Sequence, residues 1–199
     1  LLPFRKYHRE HLIRENIHPS KIFVTGNTTF EVMRNFQDKI DESDILRKLG
    51  LSSKDYILVT AHRTEQVDDQ KTRNFIFDAI EKLGKELNKK VIFPMHPRTS
   101  SKLGTVNVPK SLIIIKPLGF YDFNKLLKES FCVLSDSGTA AEEGLFYKVP
   151  NVSLRTASER YETVESGGTI ISGMDPNNIV ESVRLATSLP WEVDYEFDE

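Results

Sequence analysis

From residue 55 onward the sequence alternates short, wholly apolar runs with longer stretches whose apolar residues recur every three or four positions. Tyr56-Ile-Leu-Val-Thr60 is a continuous apolar run of strand length. Phe75, Ile76, Ala79, Ile80, Leu83 and Leu87 then follow at helical spacing. Val91–Met95 reads as a second strand and Leu112–Ile115 as a third. Phe123, Leu126 and Leu127 mark a short helix before a fourth strand, Phe131–Leu134. A helix is expected from about Gly138 to Tyr147, followed by strands at Asn151–Leu154 and Thr169–Ile171. A last helix begins near Pro176, a residue tolerated in a first turn. Strands apolar on both faces must be covered on both faces, and the helices between them supply that cover. The expected fold is therefore α/β: a doubly wound, Rossmann-like parallel sheet.

The first fifty residues are less regular. Leu2–Asn16 is basic and helix-compatible. Lys21–Asn27 reads as a short buried strand stopped by Gly26, where a missing Cβ permits a tight turn. Asp41–Gly50 carries acids at its start, cations near its end and a glycine as its stop, which describes a short capped helix. Pro190–Glu199 is acidic and aromatic and fits no element. The sequence contains no internal repeat and no low-complexity segment.

Composition narrows the function classes. A formal net charge of -2 and a pI near 6.3 give no electrostatic case for nucleic acid or an anionic membrane. An anionic ligand must then be held by a local site. The longest aliphatic run, Leu112–Ile115, is far short of the ~20 residues a bilayer span needs. The one cysteine, Cys132, has no internal disulfide partner and sits in an apolar run; it reads as a core residue in a reducing, cytoplasmic setting. The sequence opens at Leu1-Leu2-Pro3 without an initiator methionine, as a fragment would. No Cys or His cluster stands at metal-ligand spacing, and neither a GxSxG elbow nor a Walker loop is present.

In doubly wound sheets ligands lie beyond the carboxyl ends of the strands, so the strand-to-helix turns are the candidate sites. Ser135-Asp136-Ser137-Gly138-Thr139 follows the fourth strand and opens a helix, whose exposed N–H groups and positive dipole end favour an anion. One turn on, Glu142 and Glu143 place carboxylates where one can accept hydrogen bonds from ribose hydroxyls. A serine that only caps the helix, and acids that only favour its N-terminus, remain the simpler alternative. His62 and Arg63 emerge together at the end of the first strand, as a proton-transfer group or phosphate ligand would. His96-Pro97-Arg98 repeats that arrangement after the second strand. In the loop after Leu154, Arg160 suits a diphosphate, or else an ion pair with Glu159 or Glu162.

Taken in order, Val24-Thr-Gly-Asn-Thr28, Val59-Thr-Ala-His-Arg63, Pro94-Met-His-Pro97, Asp136-Ser-Gly138 with Glu142-Glu143, and Arg155 with Ser158-Glu-Arg160 closely resemble the signature of UDP-N-acetylglucosamine 2-epimerases. The resemblance covers about residues 10 to 185. It implies the C-terminal domain of a two-domain, glycosyltransferase B-type fold with UDP-sugar in the interdomain cleft. Residues 1–27 would be the tail of the N-terminal domain and the connection, 28–189 the UDP-binding domain, and 190–199 a tail. The implied reaction turns UDP-N-acetylglucosamine into UDP-N-acetylmannosamine by eliminating UDP to 2-acetamidoglucal and adding it back. The essential carboxylate bases belong to the absent N-terminal domain, so the fragment alone is expected to be inactive.

Residue by residue, the resemblance implies a catalytic role for His62 near the diphosphate and a binding role for Arg63. Ser137 and Gly138 would hold phosphate, Glu143 the ribose, Arg160 the diphosphate, and Phe123 would pack by the uracil. No cofactor or metal is implied. The implied setting is a cytoplasmic homodimer serving cell-surface polysaccharide biosynthesis, with UDP and a UDP-sugar as ligands. Several positions depart from the family pattern: Thr64, Gln66, Thr139, Ala141 and Tyr161, the last standing where proline would fix φ beside Arg160. They put the sugar in question more than the UDP. An epimerase or hydrolase of a related UDP-sugar, and a glycosyltransferase B-type domain, are the alternatives. His96 receives no role.

Overall fold

In the computed structural model, residues 1–61, 70–95, 108–158 and 161–189 are described, with 70–73 and 161–162 described for their backbone alone. The chain divides into two units, one built on Leu1–Asp38 and one within Lys39–Val193.

The first unit holds α1 (Lys6–Arg14), a 3-10 turn at Pro19–Lys21 and α2 (Thr28–Asn35). The expected strand over Lys21–Asn27 does not form. The Leu1 ammonium donates to the Lys21 carbonyl at 2.6 Å, and Phe23 and Thr25 donate their N–H groups to the carbonyls of Leu1 and Pro3, both at 3.0 Å, without forming a strand. Of that apolar run Ile22 is buried while Phe23 is 63% exposed. Gly26 does take the left-handed conformation its position required, at φ +76°. Immediately after it, the Asn27 side chain accepts from the Thr29 N–H at 2.9 Å and starts α2, which buries Phe30 and Met33 one turn apart.

Then come α3 (Gln37–Asp41) and α4 (Ile45–Leu49). The helix expected from Asp41 thus begins at Ile45, where the Ser43 hydroxyl accepts from the Ile45 N–H at 3.3 Å. Gly50 ends it at φ +60°.

The elements that follow are β1 (Tyr56–Thr60), α5 (Gln70–Glu86), β2 (Lys90–Pro94), β3 (Leu112–Ile115), α6 (Phe120–Lys128), β4 (Cys132–Ser135), α7 (Gly138–Phe146), β5 (Asn151–Ser153), α8 (Tyr161–Glu165), β6 (Thr169–Ile171) and α9 (Pro176–Ser188). All six strands pair in parallel, in the order β3-β2-β1-β4-β5-β6. Successive side chains alternate between the two faces, so each strand feeds two cores. Ile57, Val59, Val91, Phe93, Cys132, Leu134 and Val152 pack with Ile76, Ile80 and Leu83 of α5 and Ile179 and Val183 of α9. Tyr56, Leu58, Ile92 and Val133 pack with Leu126 and Leu127 of α6, Ile45 of α4 and Val149. The doubly wound α/β sheet read from the sequence is the fold observed. Cys132 is fully buried, and that burial pushes its thiol up to about 12, so it is inert packing. No helix among the described residues is long and apolar enough to cross a membrane.

Candidate functional site

The strand order makes β1 and β4 neighbours, although among the described residues a helix, two strands and a further helix separate them in sequence. Chain connections leave β1 toward β2 on one side and resume at β4 on the other. The crevice beyond the carboxyl ends of β1 and β4 is therefore the topological switch point at which such sheets bind ligands. Thr60, the last residue of β1, is the partner of Ser135, the last of β4. Both lie on the face that carries Tyr56, Leu58 and Val133 deeper in the sheet, so the aliphatic column ends in two hydroxyls. Those hydroxyls are hydrogen-bonded at 2.8 Å, and both residues are buried.

Four residues beyond β1 and β4 set the site. The Asp136 N–H donates to the Thr60 carbonyl at 3.2 Å, which carries the sheet ladder into the turn. The Ser137 N–H donates to the Ser135 hydroxyl at 2.9 Å. Ser137 is the N-cap of α7, with extended backbone, and its hydroxyl accepts from the Ala140 N–H at 3.5 Å. The N–H groups of Gly138 and Thr139 form no hydrogen bond among the described residues. Two unmet donors at the positive end of a nine-residue helix, beside a serine hydroxyl, are fit to receive a phosphate oxygen.

Further along α7, Glu142 and Glu143 are 3% and 8% exposed. Burial, and then the charge of Glu142, push the Glu143 carboxyl up to about 7. Its carboxyl group makes no hydrogen bond among the described residues, which leaves all its acceptor capacity for a ligand. An acid nine-tenths buried, unmatched by any donor among the described residues, is costly to the fold and chemically useful. Simple N-terminal dipole compensation would use an exposed acid in the first turn, and α7 has none there.

The expected site residues divide into two groups. Ser137, Gly138 and Glu143 stand together on the turn and helix just described. Phe123 lies on α6, partly buried against the cluster that contains Tyr56, Leu58 and Leu126, and α6 packs beside α7. His62, Arg63 and Arg160 lie outside the described residues, as do His96, Arg98 and Pro190–Glu199. Their flanking elements place the ends of the gaps: His62 and Arg63 follow Ala61 at the end of β1, and Arg160 directly precedes α8. The sequence reading named Thr60 and Ser135 as ends of their strands but not as partners; each is a hydroxyl residue that closes an apolar strand, which is the signal that marks them. Among the described residues no group of three or more His, Cys, Asp or Glu side chains stands close enough to hold a metal ion.

Comparison with known proteins identifies the family. The family described as UDP-N-acetylglucosamine 2-epimerase matches residues 2–195. A UDP-N-acetylglucosamine 2-epimerase of Methanocaldococcus jannaschii is 33% identical over 186 residues, covering 89% of this chain and 51% of that protein. The crystal structure of a Methanocaldococcus jannaschii UDP-GlcNAc 2-epimerase in complex with UDP-GlcNAc and UDP superposes with a TM-score of 0.89 at 30% identity, over 100% of this chain and 57% of that one. A UDP-2,3-diacetamido-2,3-dideoxy-D-glucuronate 2-epimerase of Pseudomonas aeruginosa is 34% identical over 140 residues, 69% of this chain and 39% of that protein. The chain spans about half the length of the curated relatives it matches.

Proposed function

The chain belongs to the UDP-N-acetylglucosamine 2-epimerase family, and from that premise we propose that it supplies the UDP-binding half of such an epimerase. One observation carries the reading: the unmet Gly138 and Thr139 amides, the Ser137 hydroxyl and the buried Glu143 carboxyl stand on one turn and helix at the β1–β4 switch point. Those amides and the Ser137 hydroxyl hold the diphosphate, and the Glu143 carboxylate accepts from the two ribose hydroxyls. Phe123 packs by the uracil, while Arg63 and Arg160 add cationic contacts to the diphosphate.

The chemistry then follows as elimination and re-addition. A carboxylate outside this chain takes the proton from carbon 2 of the sugar, the bond from carbon 1 to the UDP oxygen breaks, and 2-acetamidoglucal and UDP result. Re-addition delivers a proton to the opposite face of carbon 2 and re-forms the bond to UDP. The leaving diphosphate gains charge as that bond breaks, so donors already aimed at it lower the barrier. His62, two residues beyond β1, assists its departure and return. With its catalytic carboxylates elsewhere, the chain alone binds UDP without turning over the sugar. A cytoplasmic setting fits the single buried, unreactive cysteine.

A related UDP-sugar is the second reading, favoured by the 34% identity to the diacetamido-glucuronate enzyme and by the altered residues Thr64, Gln66 and Ala141. The longer protein containing this chain, incubated with UDP-N-acetylglucosamine in deuterated water, tests both readings by proton NMR. Epimerisation should incorporate deuterium at carbon 2, and His62→Ala should lower turnover more than UDP affinity. Turnover only of a diacetamido uronate substrate would select the second reading. A His62→Ala protein that loses UDP affinity but keeps turnover would remove His62 from the chemistry.

A further inference from the structure

Resting on the UDP reading, we infer that Thr60 and Ser135 are positioning residues whose paired hydroxyls hold the phosphate-binding turn of α7 in register with the end of β1. Core packing does not account for the pair. The face they share is aliphatic below them, through Leu58 and Val133, and two aliphatic side chains would extend it. A buried hydroxyl pair replaced by apolar groups of the same shape is close to neutral for a fold. What the hydroxyls do accomplish is specific to the site. The Ser135 oxygen accepts the Ser137 N–H at 2.9 Å and its hydroxyl is paired with the Thr60 hydroxyl at 2.8 Å, so one serine joins both strands' ends to the turn. That bond removes Ser137 N–H from the anion site and leaves Gly138 and Thr139 as the donors. The Asp136 N–H to the Thr60 carbonyl is the second tie between the same two strand ends.

Thr60 is β-branched, so its side chain has few rotamers and its hydroxyl is fixed by the strand itself. Ser135 has no such restraint and takes its orientation from Thr60. The register of β1 and β4 ends at the Thr60–Ser135 pair, and Ser137 follows Ser135 by two residues. The hydroxyl pair therefore sets the turn that holds the diphosphate against the end of β1. Each residue acts through another group and touches no ligand.

The test compares Thr60→Val, Thr60→Ser, Ser135→Ala and the Thr60→Val/Ser135→Ala double variant in the full 199-residue chain. UDP affinity by calorimetry, thermal midpoint, and exchange of the Ser137 amide by NMR are the readouts. Thr60→Val and Ser135→Ala should each weaken UDP by about tenfold, the effect of one hydrogen bond near the upper end of its usual worth. The double variant should lose little more than either single one, Thr60→Ser should restore wild-type affinity, and the Ser137 amide should exchange faster in both single variants. Wild-type UDP affinity in Thr60→Val overturns the inference while leaving the UDP reading in place. If Thr60→Val fails to fold, Ser135→Ala decides in the same way. If the wild-type chain binds no UDP, the UDP reading fails by itself; unchanged Ser137 exchange in Thr60→Val then overturns the positioning role as well, and faster exchange upholds it.

Discussion

Glu143 stands beside Glu142 in α7, both carboxyl groups are buried, and the charge of one disfavours ionisation of the other. Burial is the larger cause and the neighbouring charge the second, and together they push Glu143 up to about 7. An acid whose folded pKa is raised binds more protons folded than unfolded between those two values, so stability falls as pH rises there. Its contribution is fully present below the ordinary value of 4.5 and is lost as pH rises through about 7. The shift corresponds to about 3 kcal/mol. Urea denaturation from pH 4 to 8 should show this decline, and Glu143→Gln should flatten it and be the more stable protein at pH 8. A Glu143→Gln profile parallel to wild type would contradict the assignment.

Gly84 in α5 sits where a Cβ would lie 2.2 Å from the Ser111 Cβ, just before β3. Alanine is the better helix former by ~1 kcal/mol, so propensity alone predicts that Gly84→Ala stabilises. Overlap with a Cβ cannot be relieved by a rotamer change, and overpacking of this kind costs about 1–3 kcal/mol. Gly84→Ala should therefore lower the midpoint of thermal unfolding, and Ser111→Gly in the same chain should recover part of the loss. A raised midpoint for Gly84→Ala would show that helix and strand separate freely there.

Lys54 reaches under the end of α6, where its ammonium donates to the carbonyls of Lys128 at 2.9 Å and Ser130 at 3.0 Å. Those carbonyls belong to the helix end that lacks intrahelical donors. Lys54→Met keeps the length of the stem and removes the donors, and should cost about 1 kcal/mol in chemical denaturation. An unchanged midpoint would mean that water replaces the ammonium without loss.

The strands and long helices were legible because their periodicity is local: Tyr56–Thr60 and the apolar positions of Gln70–Glu86 need no distant partner to be recognised. Lys21–Asn27 misled because three consecutive apolar residues do not reveal whether a sheet will receive them; its pairing is confined to three main-chain bonds with Leu1 and Pro3. Helix α2 was missed although its signals are in the sequence, in Asn27 as cap and in Phe30 and Met33 one turn apart. The placement of Ser137, Gly138 and Glu143 on the turn and helix after β4 was legible from the turn-to-helix pattern. The adjacency of Thr60 and Ser135 was not, because it depends on where the chain reverses across the sheet, and no local pattern encodes strand order. Nor was the raised pKa of Glu143, which comes from the depth at which α7 is buried.

A preformed site for a nucleoside diphosphate on α7 is read out by titration calorimetry of this chain with UDP, uridine and UDP-N-acetylglucosamine. Saturable UDP binding, far weaker uridine binding, and loss of at least about tenfold in UDP affinity in Glu143→Ala are the predicted results. Equal affinity for UDP and uridine, or UDP affinity untouched by Glu143→Ala, would contradict it.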